Sequence, residues 1–133
     1  DKSQNDFKAY ELDCDNIHGA NYDEDLVLIC WDEKDWTPPE LELQKLDAFC
    51  KKHRGIIGHM IIKCTDANVD DKIAIAIINA MYKLRCRTGI NLFFTRTKVT
   101  LDTIVHAATE NLFKAAGKSL DIDIEGCNIE PKQ

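Results

Sequence analysis

Three largely apolar segments of strand length, each separated from the next by a helical pattern, constrain the fold of this chain most strongly. They lie at residues 26–31, 56–64 and 90–94. Continuous rather than alternating apolar runs are typical of strands buried in a parallel sheet. A strand candidate at 7–12 and an alternating segment at 120–125 bring the predicted strands to five. The alternating segment predicts an edge strand, because only one of its faces is apolar.

Three patterns of helical periodicity connect these strands, at about residues 37–53, 69–86 and 100–116. The first begins with Thr37 and Glu40, the two residues of a capping box. The order β-β-α-β-α-β-α-β predicts an α/β fold, a single domain with a mostly parallel five-stranded sheet and three helices packed on it. No internal repeat is predicted. The inward residues of the third helix are predicted to be Leu101, Ile104, Val105, Ala108, Leu112 and Ala115.

The predicted domain spans residues 1–133, with polar tails at 1–6 and 127–133 and a loop at 13–25. A length of 133 residues suits one hydrophobic core. No apolar run approaches the roughly 20 residues that cross a bilayer, so no membrane span is expected. The chain begins with Asp1 rather than Met, which favours a processed N-terminus or excision from a longer chain and leaves secreted, organelle-imported and cytosolic locations open.

The acidic balance of the chain argues against nucleic-acid binding. Phosphate contacts supply most of the affinity for nucleic acids and need a basic surface, whereas the formal net charge here is −6. One basic cluster, at residues 51–54, ends the first predicted helix. Positive charge there complements the helix dipole and needs no ligand.

The chain contains six cysteines, and no two of them have CxxC spacing. Zinc-ribbon and thioredoxin-like motifs therefore lack their usual signature. Cys30 and Cys50 fall at apolar positions typical of core thiols, while Cys14, Cys64 and Cys127 fall at predicted strand ends, where disulfides are easier to form. Six cysteines could form three disulfides, but the sequence alone does not indicate that any of them forms.

A ligand of an open α/β sheet binds beyond the carboxyl ends of the parallel strands. The ligand-binding residues predicted at this edge, if it holds a site, are Trp31, Asp32, Thr65, Asp66, Asn68, Thr95, Arg96 and Lys98. Basic residues before a helix can bind phosphate, and the acids can hold a divalent cation. However, no glycine-rich phosphate motif is present. We therefore predict no catalytic residue, no cofactor and no metal.

Two features favour a protein partner. Three strands are apolar on both faces, yet only three helices are available to cover them, and excess apolar surface marks interfaces. Trp36 and Phe113 are predicted partner-binding residues, because aromatic side chains on the surface are common interface anchors. The leading hypothesis is a soluble, non-catalytic protein-interaction domain, either an accessory subunit of a larger assembly or a domain of a longer chain, that binds a protein partner or self-associates. The alternatives are a small-ligand or enzymatic domain with its site at the carboxyl edge, and a secreted, disulfide-stabilised binding protein.

Overall fold

The computed structural model describes residues 16–23 and 25–129, and these residues form one five-stranded sheet with helices packed on it. The strands are β1 (Ala20–Asp23), β2 (Leu26–Cys30), β3 (His59–Lys63), β4 (Gly89–Phe93) and β5 (Leu120–Asp123). Their spatial order is their order in the chain. The pair β1–β2 is antiparallel and the other three pairs are parallel, which confirms the predicted fold class.

The connections between the parallel strands are helical. The helices are α1 (Glu40–Lys52), α2 (Asp71–Met81), α3 (Leu101–Thr109) and α4 (Leu112–Ala116). The third predicted helix is therefore two helices, because Asn111 adopts a left-handed conformation with φ 55° between them. Asparagine is one of the few residues that tolerate this conformation. Thr100 caps α3 as predicted, and its hydroxyl accepts a hydrogen bond from the Asp102 amide at 3.2 Å.

The predicted capping box on α1 is wrong. The helix begins at Glu40, and no side chain caps it. Pro39 is extended, with ψ 159°, and two consecutive prolines keep the chain out of the helical conformation before that point. The hydroxyl of Thr37 instead accepts a hydrogen bond from Asn68 Nδ2 at 2.7 Å, which ties the loop after β2 to the loop after β3.

The first strand of the sheet formed by the described residues lies in a segment that was predicted to be a loop. The candidate at 7–12 lies outside the described residues, as do the tail at 1–6 and residues 130–133. The predicted loop at 13–25 instead contains β1. This segment forms a strand because it pairs with β2. Gly19, with φ 69°, places its carbonyl 2.9 Å from the Cys30 amide, which donates a hydrogen bond to it. A Cβ on Gly19 would lie 2.1 Å from the Cys30 oxygen, so only glycine fits this approach.

The predicted inward face of α3 is partly wrong. The predicted core residues that the structure leaves exposed are Leu101, Val105 and Ala108. The polar Thr103 is fully buried in their place. Its hydroxyl donates a hydrogen bond of 2.5 Å to Asp71 at the start of α2, and this bond sets the rotation of α3 about its axis.

One face of the sheet is packed against the helices and the other is not. Consecutive parallel strands joined by right-handed crossovers place every connection on the same face. The burial of side chains on β3 agrees with this one-sided arrangement, because Ile62 is fully buried whereas its neighbour Ile61 is only half-buried. The same alternation occurs in β2, where Val27 and Ile29 are fully buried and Leu28 between them is half-buried.

The structure contains a repeat that the sequence analysis missed. His59 pairs with Gly89 and Ile90 pairs with Leu120, an offset of 30 residues in each case. The turns that follow β3, β4 and β5 have a left-handed residue at the same spacing, namely Asp66, Arg96 and Gly126. Because the repeat is carried by backbone conformation and burial rather than by residue identity, three different residue types occupy this position. The recurrence covers β3 to β5, since Leu26 on β2 pairs with His59 at an offset of 33 residues, and in this part the stacked strands and connections resemble the units of a solenoid.

Candidate functional site

The helices in the described part of the chain leave the opposite surface of the sheet uncovered, and we call this surface the open face. Its residues alternate with the core residues along the five strands. They include Asn21, Leu26, Leu28, Cys30, His59, Ile61, Lys63, Asn91, Phe93, Asp121 and Asp123. None of these side chains belongs to the buried core formed by residues 16–23 and 25–129.

The centre of the open face is apolar. Leu28 and Ile61 are register partners on β2 and β3, and both are half-buried. Phe93, also half-buried, lies on the next strand. Lys63 lies between Cys30 and Phe93 in the same row of the sheet. The apolar side chains of this face are therefore interspersed with polar ones, and apolar surface left uncovered is one mark of a protein-binding site.

A hydrogen-bonded network forms the polar half of the open face. His59 Nδ1 lies 3.0 Å from the Thr88 hydroxyl, and His59 Nε2 contacts Asn91 Oδ1. Asn91 Nδ2 in turn donates to Asp121 Oδ2 at 3.3 Å. The network joins β3, β4 and β5 through their side chains, so these polar groups are held in fixed positions before any partner arrives. Asp121 ends the row on the last strand.

The carboxyl edge of the sheet, where a ligand site was predicted, is built of stacked turns. The Asp35 amide donates to the Asp66 carbonyl at 3.0 Å, and the Asp66 amide donates to the Thr95 carbonyl at 3.0 Å. The Arg96 amide donates to the Glu125 carbonyl at 2.8 Å. These three amides are therefore already satisfied and do not form a cradle for phosphate.

Two of the residues predicted at this edge are brought together. Arg96 Nε and Nη2 donate to the two carboxylate oxygens of Asp66 at 2.7 and 3.1 Å. This hydrogen bonding, with the nearby positive charge, lowers the pKa of Asp66. An anionic ligand at Arg96 would have to compete with a carboxylate in a two-pronged geometry that suits a guanidinium.

The other residues predicted at this edge are dispersed. Trp31 is fully buried, and Thr95 is nearly so. The Asn68 side chain donates its hydrogen bond to the Thr37 hydroxyl, and Thr65 is half-buried. The exposed ones are Asp32 and Lys98. The structure therefore places the predicted residues at one edge without converging most of their side chains on one point.

The two predicted partner-binding aromatics differ in exposure. Trp36 is half-buried, with its ring centroid 4.8 Å from that of His18 and 6.0 Å from that of Trp31. Trp31 Nε1 donates to the His18 carbonyl at 2.7 Å, so this aromatic cluster holds residues 16–18 against the sheet. Phe113 is 54% exposed, but it lies on α4, in the helix layer rather than on the open face.

The ion pair at the carboxyl edge gives a testable prediction. Replacing Arg96 with glutamine is expected to raise the pKa of Asp66 towards the ordinary aspartate value of about 3.9, because the hydrogen-bond donors that stabilise the carboxylate are removed. NMR titration of the Asp66 side-chain carboxyl carbon measures this change. Lys98→Gln, in the same loop, is the control and leaves the Asp66 pKa in place. An unaltered pKa in Arg96→Gln would show that the pair does not form.

The five cysteines among the described residues are free thiols: Cys30, Cys50, Cys64, Cys86 and Cys127. Burial raises the pKa of both Cys64 and Cys86 to about 12, which makes them unreactive. Cys127 begins the second predicted tail, yet its Sγ lies 2.9 Å from the Phe94 carbonyl and packs on the core.

Within residues 16–23 and 25–129, no cluster of histidine, cysteine or acidic side chains could hold a metal ion. In the same part of the chain, no helix combines the length and the apolar character needed to cross a membrane.

Sequence reasoning placed the candidate ligand site at the edge of the sheet. It expected more apolar sheet surface than three helices can cover, but it named no site residue on the open face. The 30-residue recurrence of strand and turn positions was the available signal, since it implies consecutive strands with their connections on one side. Comparisons with protein-family models, with curated proteins and with solved structures found no match to this chain.

Proposed function

We propose that this chain is a non-catalytic protein-interaction domain that binds a protein partner on the open face. The observation that carries the proposal is the one-sided helix layer. Within the part of the chain that the structure describes, it leaves the half-buried apolar side chains Leu28, Ile61 and Phe93 without a covering layer. Burial of apolar surface is a main favourable term in protein association, so this surface favours a covering partner.

The polar groups of the open face indicate what kind of partner fits. Asp121 and Asp123 lie on β5 at one side of the apolar centre, and both are acidic. Lys63 and His59 lie on β3, nearer its middle. A partner with an apolar anchor and adjacent basic side chains complements this arrangement. Electrostatic complementarity of this kind chiefly sets specificity and the rate of association.

The repeat architecture supports the same role. Solenoid proteins use the extended surface of their stacked units for binding. Here the rows of the sheet place a residue from each successive strand side by side, as in the row Leu28, Ile61, Asn91 and Asp121. Such a surface is rigid, so binding orders few side chains and costs little conformational entropy.

The test uses the full chain as an immobilised bait, followed by affinity measurement with the purified partner. Ile61→Arg and Phe93→Arg place a charge in the apolar centre, and each is expected to weaken binding at least tenfold, about 1.4 kcal/mol. Val105→Arg is the matched control, because Val105 is 62% exposed in the helix layer. It should bind as the unaltered chain does.

Phe113→Arg separates this proposal from an interface on the helix layer. If Phe113→Arg abolishes binding while Ile61→Arg and Phe93→Arg do not, the open face is not the interface. A chain that remains monomeric in sedimentation and captures no protein in a manner sensitive to Ile61 or Phe93 would also overturn the proposal. Circular dichroism of each variant shows that it has folded.

A further inference from the structure

A small basic cavity lies in the helix layer, remote from both the open face and the carboxyl edge. Its volume is about 160 Å³, and it opens between the segments that follow α1 and α2 and the helix α4. Its walls carry the side chains of Arg54, Lys83, Arg85 and Lys114 together with Tyr82 and Asn111. None of the described residues that line the cavity carries a carboxylate side chain.

The concentration of positive charge here is unexpected in this protein. The chain has 17 basic and 23 acidic residues, yet four of its basic side chains share one cavity. One of the four is neutralised, because Lys83 forms an ion pair with Asp47. Arg85 Nη1 makes only a long hydrogen bond, 3.4 Å, to the Lys114 carbonyl. Among the described residues, the structure gives Arg54 and the Lys114 ammonium no ion-pair partner.

Helix dipoles explain part of this cluster and leave the rest unexplained. A positive charge is stabilised near the carboxyl end of a helix, but the effect falls off within the last turn. Arg54 lies near the end of α1, where this account applies. The same account applies to Lys114, which lies in the last turn of α4, whereas Arg85 lies four positions beyond the last residue of α2 and is not explained in this way. Like charges that converge without an anion repel one another.

From this convergence we infer that the cavity binds a phosphate group, either as free phosphate or carried on a phosphorylated side chain. Arginine and lysine together supply a planar fork of donors and a point charge, the usual combination around phosphate oxygens. Tyr82 and Asn111, which also line the cavity, are residues whose side chains can donate neutral hydrogen bonds. A cavity of about 160 Å³ is below the roughly 300 Å³ at which sites for drug-sized ligands begin. It therefore suits one anionic group rather than a whole nucleotide.

This inference stands independently of the open face, and the experiment is phosphate titration followed by NMR. Inorganic phosphate, added at constant ionic strength, is expected to shift the amide signals of residues 111–115 and the Nε signal of Arg85 in a saturable manner. Arg85→Gln and Lys114→Gln should each weaken the apparent affinity at least fivefold, and the double variant more. Lys118→Gln is the matched control, because Lys118 is exposed and does not line the cavity.

Two probes distinguish the source of the phosphate. If N-acetyl-phosphoserine amide binds more tightly than inorganic phosphate, the natural ligand is a phosphorylated side chain. If inorganic phosphate binds at least as tightly, it is the free ion. Unphosphorylated N-acetyl-serine amide should not bind. Non-saturating shifts, or equal affinity in the unaltered chain and the folded double variant, would overturn the inference.

Discussion

Replacing Ile62 with alanine is expected to lower the free energy of unfolding by about 3 kcal/mol, whereas the same change at the adjacent Ile61 should cost about 1 kcal/mol. Both residues lie on β3, in the centre of the sheet. Ile62 is fully buried beneath the helices, so its truncation leaves a cavity. Ile61 lies on the open face, where solvent fills the space. Denaturant titration of both variants measures the difference.

This pair is internally controlled, because the two variants share residue type, strand and sequence neighbourhood. Strand propensity and unfolded-state effects therefore largely cancel in the comparison. Equal losses of stability at Ile61 and Ile62 would mean that both faces of β3 are packed, which contradicts a one-sided helix layer.

A second large effect is expected at Asp71, which joins the starts of α2 and α3. Its carboxylate accepts hydrogen bonds from the Thr100 amide at 2.8 Å, from the Thr100 hydroxyl at 2.6 Å and from the buried Thr103 hydroxyl at 2.5 Å. Asp71→Ala leaves these donors without an acceptor, and we expect it to cost about 3 kcal/mol. Asp70→Ala is the matched control. It removes only an exposed N-cap bond to the Ile73 amide, which is worth about 1 kcal/mol.

The contribution of Asp71 should depend on pH in a defined direction. Burial acts to raise the pKa of Asp71, but the hydrogen bonds from Thr100 and Thr103 outweigh it, and the pKa is lowered. Because the folded-state pKa lies below the unfolded value of about 3.9, this stabilisation is complete above that pH and is lost as the pH falls through the folded-state pKa. The gap in unfolding free energy between the unaltered chain and Asp71→Ala should therefore narrow from pH 6 to pH 3. A gap that stays constant or widens would contradict the assignment.

The parallel part of the sheet could be predicted because its signals are local. Apolar runs of strand length and the intervening helical periodicity placed β2 to β5 correctly in sequence. The strand β1 could not be found in the same way, since Ala20–Asp23 has little strand character of its own and is fixed by pairing with β2. The rotation of α3 was missed because it depends on a bond between Thr103 and Asp71, which are 32 residues apart.

At the candidate site, too, the features set by local sequence could be predicted and those set by long-range contacts could not. Residues at the carboxyl edge could be placed there from the strand order alone. The stacking of neighbouring turns could not be predicted in this way. This stacking brings Asp66 and Arg96 together as an ion pair and buries Trp31. The residues of the open face could not be identified from the sequence, because the apolar composition of a strand does not show which of its faces is covered. Apolar residues on both sides of a strand usually indicate burial on both sides, whereas here Leu28 and Ile61 form a surface patch.

The most direct test of this account is NMR of methyl-labelled protein with a soluble paramagnetic gadolinium chelate, on a sample whose monomeric mass is fixed by sedimentation. The probe should broaden the methyl signals of Leu28 and Ile61 on the open face. It should leave those of their strand neighbours Ile29 and Ile62 sharp, because helices cover that side. If Leu28 and Ile61 are protected as strongly as Ile29 and Ile62 in the monomer, the face is covered and cannot serve as the binding surface.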